Sequence, residues 1–344
     1  MSMITIVGGG LAGLSLGIAL KKRGFGATVH EALAYPRHRV CGEFICGVSK
    51  TSLQDLGVCD ALRDARLLRT TAWFRGGECL YRAPLPVPAL GISRYALDQR
   101  LADTFREAGG MLRTRERFGP KNGGGDVPEP PGVVWTAGRQ VVRSEWIGLK
   151  MHALDLETRA DLELHLGDHA YAGVSAVEDG RVNVCGLFRK RRGVRARKPD
   201  LLPAYLEASG LTHLAGRLRS GEPDPASACG IDSVDFTRTF DPPSRCYLGD
   251  TYSAIPPFTG NGMSMAFECA ADALDPLARW LESRIAWPEA VGEIRASLHR
   301  RFRSRLTVAR ALHPFIYKPA GQSMLAIFAK ARLLPFRTLF QMTH

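Results

Sequence analysis

The stretch Ile4-Thr5-Ile6-Val7-Gly8-Gly9-Gly10-Leu11-Ala12-Gly13 constrains this chain more than any other. An apolar, β-branched run meets glycines at 8, 10 and 13, and an amphipathic helix pattern (Leu14 to Arg23) begins at once. This is Gly-x-Gly-x-x-Gly in the strand–turn–helix context that gives it meaning. Gly8 permits the tight turn, Gly10 lets a pyrophosphate approach the backbone, and Gly13 lets the helix pack closely on the strand. The helix N-terminus adds free N–H groups and a positive dipole. A second strand pattern, Ala27-Thr28-Val29-His30-Glu31, ends in an acid 18 positions after Gly13. That is close to the ~20-residue spacing at which a carboxylate binds a ribose hydroxyl. Accidental glycines in a plain βαβ unit are the competing reading; the complete set favours a dinucleotide.

The totals narrow the class. A chain of 344 residues has room for two domains, and 45% apolar with 23% charged residues is an ordinary globular composition. No run of about 18 apolar residues suggests a membrane span. No basic region precedes the first strand, so no signal peptide is read and a cytoplasmic setting is expected. Eight cysteines (41, 46, 59, 79, 185, 229, 246 and 269) include no Cys-x-x-Cys pair and no histidine at metal spacing. Reduced, mostly buried thiols and no metal are expected.

The net charge of +12 is uneven: from Glu289 to the end, ten Lys/Arg stand against two Glu, and residues 189–198 carry seven cations. No recognition motif or stacking-aromatic pattern accompanies these clusters, so no nucleic-acid partner is expected. They suit an anionic membrane surface (peripheral association), an acidic carrier protein or a phosphate-bearing ligand. A simply solvated basic face is the bland alternative.

Along the chain, a helix is expected from Ser49 to Leu56, stopped by Gly57, and another from Tyr95 to Ala108. Residues 70–91 read as strands leaving the nucleotide domain, and Met111 to Arg117 as a strand returning to it. Residues 119–132 read as a loop. From 141 to 188 the pattern is antiparallel β, with Trp146, Gly148, Lys150 and His152 on one face and an Asp179-Gly180 hairpin turn. The tail is helical and amphipathic, with breaks expected at Pro314, Pro319 and Pro335. The fold class expected is α/β: a Rossmann-like domain (1–70, 92–140, 240–286) interleaved with an antiparallel substrate sheet (71–91, 141–239), then a helical tail (287–344).

A second stretch points to a family. Arg245-Cys246-Tyr247-Leu248-Gly249-Asp250 is followed by Ile255-Pro256-Pro257-Phe258-Thr259-Gly260-Asn261-Gly262-Met263 and a helix. With the opening loop, these residues resemble the flavoproteins that include geranylgeranyl reductases, para-hydroxybenzoate hydroxylase and flavin-dependent halogenases. The resemblance implies FAD, with the ribityl chain on Asp250 of the Gly249-Asp250 pair. It places Pro257, Gly260, Asn261, Gly262 and Met263 at the pyrimidine end of the ring. It also implies FAD contacts from Arg39 and Arg94, and puts Thr136, Ala137 and Gly138 beside the adenosine ribose with Glu31. The Asp-Gly motif that monooxygenases of this kind use is absent, as is the halogenase Trp-x-Trp-x-Ile-Pro motif.

Arg39-Val40-Cys41-Gly42-Glu43 resembles the Cys-Gly loop of geranylgeranyl reductases. Cys41 is therefore a candidate for proton donation or substrate contact, its pKa open to lowering by Arg37, His38 and Arg39. Lys150 and His152 are candidates for substrate binding or acid–base work if their strand face looks toward the flavin, and surface residues if it looks to solvent. Trp135 and Tyr171 read as packing residues. The expected function leans to an FAD-dependent reductase or dehydrogenase of a hydrophobic, isoprenoid- or polyketide-like molecule, with NAD(P)H as an available electron donor. The alternatives are a flavin-dependent monooxygenase of an aromatic or polyketide substrate, and a flavin- or lipid-binding protein without turnover.

Overall fold

The computed structural model describes residues 3–119, 130–139, 143–236, 239 and 245–344. Most of the loop expected at 119–132 lies outside the described residues. Two sheets make up the frame. The first has five strands in the spatial order Cys246–Tyr247, Val133–Trp135, Met3–Val7, Gly26–Glu31, Met111–Thr114, all parallel. Helices Leu11–Lys22 and Gly262–Leu281 share its core with Met3–Val7. Every residue from Leu11 to Leu20 is buried, because this helix has sheet on one side and the second helix on the other.

The second sheet has eight strands, in the order Pro223–Asp232, Trp146–Ala153, Val182–Arg189, Ala170–Ala176, Leu162–Gly167, Arg66–Arg75, Glu78–Gly91, Phe44–Ile45. Its pairs are antiparallel except for Arg66–Arg75 against Leu162–Gly167, which run parallel. The first excursion strand thus starts at Arg66, earlier than residue 70. Asp179 (φ 56°) and Gly180 (φ 73°) make the expected turn between Ala170–Ala176 and Val182–Arg189. Leu149, Met151 and Ala153 on one face pack under helices Leu201–Ala208 and Thr212–Ser220, which the strand periodicity did not anticipate. Trp146, Gly148, Lys150 and His152 take the other face, which looks inward.

Local signals set the helix ends. The Ser49 hydroxyl accepts the Ser52 N–H at 3.0 Å, and Gly57 closes Lys50–Leu56 with φ 73°. The Ser93 hydroxyl accepts the Ala96 N–H at 3.1 Å to start Arg94–Glu107. The tail forms Trp287–Tyr317, Pro319–Lys330 and Phe336–Thr343. Pro319 and Pro335 fall at helix starts as expected, but Pro314 lies inside a continuous helix. Its ring removes one intrahelical hydrogen bond, and burial of His313 and Ile316 on either side holds the last turn in place.

Candidate active site

The opening glycine loop is shaped for a ligand. Gly8 has φ 111°, and a Cβ on Gly13 would lie 2.1 Å from the Gly8 carbonyl oxygen, so only glycine allows the helix to sit this close. A Cβ on Gly10 would meet nothing within 4 Å. The helix that follows has no side-chain cap and no acid in its first turn, although its first residues are buried. Uncapped, buried N–H groups facing open space want an anion. Tyr35 Oη donates to the Gly9 carbonyl at 2.5 Å and fixes the loop. Thr136 Oγ1 donates to the Gly8 carbonyl at 2.6 Å, and Gly138 N–H donates to Thr251 Oγ1 at 3.0 Å, joining three strand ends around the cradle.

Glu31, at the end of its strand, accepts the Gly9 N–H at 2.9 Å, the Leu33 N–H at 3.0 Å and Arg37 at 2.9 Å. A carboxylate offers about four lone-pair sites, so capacity for a ribose hydroxyl is left. Arg39 donates to Asp98 at 2.8 Å. Its Nη2 is buried without a hydrogen-bond acceptor, Glu31 standing 3.6 Å away. Arg94 grips the same Asp98 through two bonds of 2.8 and 2.9 Å and reaches the Cys41 thiol. Of the two expected arginines, Arg39 keeps the free buried donor.

The loop from Val40 to Gly42 lines a large cavity bounded by the eight-stranded sheet and the tail. Its other walls include Trp73, Leu162, Leu164, Tyr171, Phe258, Phe336 and Phe340, so the lining is mostly apolar and aromatic. Cys41 contributes to the wall, but burial pushes its thiol pKa up. The cation that opposes this is Arg94, and Arg37, His38 and Arg39 do not lower it as the sequence suggested. Cys41 is therefore a neutral thiol near pH 7.

Lys150 and His152 are not among the residues lining the cavity, which Gly148 and Cys185 reach instead. Both are buried behind the loop and converge on Glu43: Lys150 Nζ is 3.1 Å from Oε1 and His152 Nε2 is 2.6 Å from Oε2. The Arg94 N–H adds a bond of 3.0 Å to the same carboxylate. Burial alone would raise the Glu43 pKa; the His152 hydrogen bond, the Lys150 charge and the Arg94 N–H outweigh it and hold the carboxyl below its ordinary value. His38 closes the group, its Nδ1 being 3.2 Å from Lys150 Nζ. Through Glu43 they fasten the loop, and neither Lys150 nor His152 lines the cavity.

Gly249–Thr251 forms a short 3-10 turn, and Asp250 there pairs with Arg139 at 3.5 Å. Pro257, Phe258 and Thr259 line the cavity. Gly260 has φ 71°, and a Cβ on it would lie 2.1 Å from the Phe44 ring. The helix Gly262–Leu281 starts with no side-chain cap and no acid in its first turn, and the space in front of Gly262 is open. Asn261 is fully buried; its amide donates to the Thr343 carbonyl while Oδ1 has no partner. The Met263 side chain is packed in the core of the five-stranded sheet, so only its backbone is available to a ligand.

No protein-family model matches the sequence, and no curated protein matches it either. Solved structures do. HpxO of Klebsiella pneumoniae, solved with FAD and uric acid, superposes with a TM-score of 0.75 at 19% identity, over 99% of this chain and 96% of that one. PqsL of Pseudomonas aeruginosa, solved with 2-aminobenzoylacetate, gives 0.70 at 16% identity over 95% and 99%; it is described as a probable FAD-dependent monooxygenase. The flavin-dependent brominase Bmp2 gives 0.74 at 16% identity over 99% and 92%. The chain has the fold of these flavoproteins.

Both uncapped helix starts, the open glycines and the buried Arg39 donor fit FAD laid between the two cradles. In the sequence Glu43 stood out only as the neighbour of Cys41-Gly42, and nothing singled out His313. That residue sits among the rings of Trp146, Tyr171, Phe236, Phe258 and Tyr317, with centroids 4.8–6.1 Å away. Its Nε2 is buried without a partner.

Burial lowers the pKa of His313 from 6.5 to about 4, and burial with the Lys150 charge does the same for His38, also to about 4. The folded chain then refuses protons that the unfolded chain accepts between these values, so stability is complete above pH 6.5 and falls as pH drops toward 4. Urea unfolding at pH 7.5 and pH 5 is expected to show a clearly lower midpoint at pH 5; equal midpoints would contradict the lowered pKa values of buried His313 and half-buried His38.

Proposed function

We propose that the protein is an FAD-dependent monooxygenase acting on a hydrophobic aromatic or polyketide-like small molecule, with NAD(P)H as electron donor. The observation that carries this reading is the aromatic-walled cavity. It lies where the Val40–Gly42 loop and the Pro257–Thr259 turn, the two segments expected to flank the flavin ring, meet the eight-stranded sheet. Shared fold with flavoproteins described as monooxygenase and brominase supports oxygen chemistry over the reductase chemistry suggested by the Cys-Gly loop. A reductase is the second reading, favoured by the position of Cys41 in the cavity wall.

In this reading Gly8, Gly10, Gly13 and Arg39 hold the pyrophosphate, Glu31 and Thr136 to Gly138 the adenosine end, and Asp250 the ribityl chain. Pro257 to Gly262 and the Met263 backbone serve the pyrimidine end. Bound FAD would carry two electrons from the nicotinamide donor to O2, one oxygen atom entering the substrate and the other leaving as water. The chain's own part is placement: the Glu43 cluster holds the loop, the aromatic walls exclude water, and the neutral Cys41 thiol adds an unreactive surface.

Tyr171 orients the ligand. Tyr171 is one of the cavity's wall residues; its buried hydroxyl meets the Phe258 N–H, a donor, so the phenol proton is left without an acceptor. Tyr171→Phe is expected to weaken binding of 2-naphthol about fivefold, the ~1 kcal/mol of one hydrogen bond, and to leave naphthalene binding unchanged. Equal losses for both ligands would remove this role.

The reaction class is tested with the FAD-loaded protein, NADPH and a panel of hydroxy- and amino-substituted bicyclic aromatics under ¹⁸O2. One labelled oxygen atom in the product is expected. Product formed without oxygen, heavier by two hydrogens, would replace this reading with the reductase. Protein that takes up no FAD would overturn both.

A further inference from the structure

The tail has two faces, and the mechanism uses only one. The inner face closes the cavity through Leu325, Phe336, Leu339 and Phe340. Gln322 pins this arrangement, its buried amide donating to the Gly167 carbonyl at 2.7 Å and the Ile316 carbonyl at 2.8 Å. The outer face of Pro319–Lys330 carries Met324, Ile327 and Phe328 at helical i, i+3, i+4 spacing, and Leu333 follows just past the helix. They are exposed by 47%, 66%, 44% and 67% respectively. Large apolar side chains grouped this way on a surface mark an interaction site.

Flanking them along the chain are exposed Lys318, Lys330, Arg332 and Arg337, none with an acidic partner among the described residues. From Ile294 to His344 the sequence has no acid at all. In the other basic cluster Arg189, Lys190 and Arg191 are paired, with Glu145, Asp232 and Asp168, and among the described residues no exposed apolar group of this kind accompanies it. An apolar centre with an all-cationic rim matches an anionic lipid surface, where the side chains enter the acyl boundary and the cations meet headgroups. A second copy of the same face would bring like charges together.

We propose that the face formed by Met324, Ile327, Phe328 and Leu333 docks the protein on anionic membranes. The roof of the cavity is then also the membrane contact, and a hydrophobic ligand can exchange between bilayer and cavity without crossing water. This inference does not depend on the redox reading, because vesicle binding is measured without turnover.

The test is co-sedimentation of the full chain with phosphatidylcholine vesicles containing 30% phosphatidylserine, against phosphatidylcholine alone. Tight, salt-sensitive binding to the anionic vesicles is expected, with at least tenfold weaker binding to the neutral ones. Ile327→Glu with Leu333→Glu should reduce anionic binding at least tenfold. Thr51→Glu with Gln54→Glu adds the same charge on the exposed side of Lys50–Leu56 and should leave binding near wild type. Lys330→Gln with Arg332→Gln should abolish the preference for phosphatidylserine, and melting curves of all variants check that they fold. Absence of wild-type binding, or equal binding by both glutamate pairs, would overturn the proposal. Competition by soluble polyglutamate as effective as by vesicles would assign the face to an acidic protein and overturn it as well.

Discussion

Replacing Glu43 with alanine is expected to lower the melting temperature by on the order of 10 °C. The change leaves the Lys150 ammonium buried with no carboxylate and removes the acceptor of His152 and of the Arg94 N–H. Breaking a buried ion pair by deleting one partner costs about 3–5 kcal/mol, and in a domain of this size each kcal/mol moves the midpoint by roughly 2–4 °C. Lys150→Met in the same background removes the orphaned charge and should recover a good part of the loss, leaving an approximately volume-matched apolar site. Acid should act in the same direction as the mutation. The Glu43 carboxyl is held below its ordinary value, so its contribution is present above the ordinary carboxylate range and is lost as pH falls through the folded value. A melting temperature for Glu43→Ala within 2 °C of wild type would show that the cluster is not the fastening described here.

The second large effect separates cofactor binding from folding. Gly10→Asp is expected to leave the apoprotein folded, because a Cβ there meets nothing within 4 Å, yet to weaken FAD binding at least a hundredfold. The new carboxylate would sit at an uncapped helix start in the place of the anion, and could satisfy those N–H groups itself. Gly13→Ala should behave in the opposite order. Its Cβ would collide with backbone at 2.1 Å, so stability falls first and FAD retention with it. Flavin absorbance after gel filtration, with a melting curve for each apoprotein, distinguishes the two. Gly10→Asp that stays yellow would remove the pyrophosphate from this loop. A milder member of the series is Asp250→Ala, which should reduce FAD retention without changing the fold, since Asp250 is half-exposed and meets Arg139 only at 3.5 Å.

What the sequence showed well was local. The glycine loop, the Ser49 and Ser93 caps, the Gly57 stop and the Asp179-Gly180 turn each depend on a few neighbouring residues whose backbone needs are strict. The alternation at 146–152 was equally clear, but the side it faced was not, because that is decided by the loop carrying Glu43 more than a hundred residues earlier. The parallel join of Arg66–Arg75 to Leu162–Gly167 is non-local in the same way. Helices Leu201–Ala208 and Thr212–Ser220 are short, and only their packing on the sheet explains them. Pro314 was misjudged because a local penalty lost to tertiary burial, and Cys41 because the cations beside it in sequence are not the one that faces it in space.

Glu43 has one more consequence. It sits at φ 58°, its carbonyl accepts the Ile92 N–H at 2.9 Å, and its carboxylate lies against Lys150 and His152. One residue thus rivets the loop from the five-stranded sheet to the interior of the eight-stranded one. A clamshell motion that parted the two sheets would have to strip a buried ammonium of its counter-charge. The other boundary of the cavity, roofed by the tail, is tied to the same frame through the Gln322 amide on the Gly167 carbonyl and the Asn261 amide on the Thr343 carbonyl, so loop, sheets and tail enclose the cavity as one fastened unit.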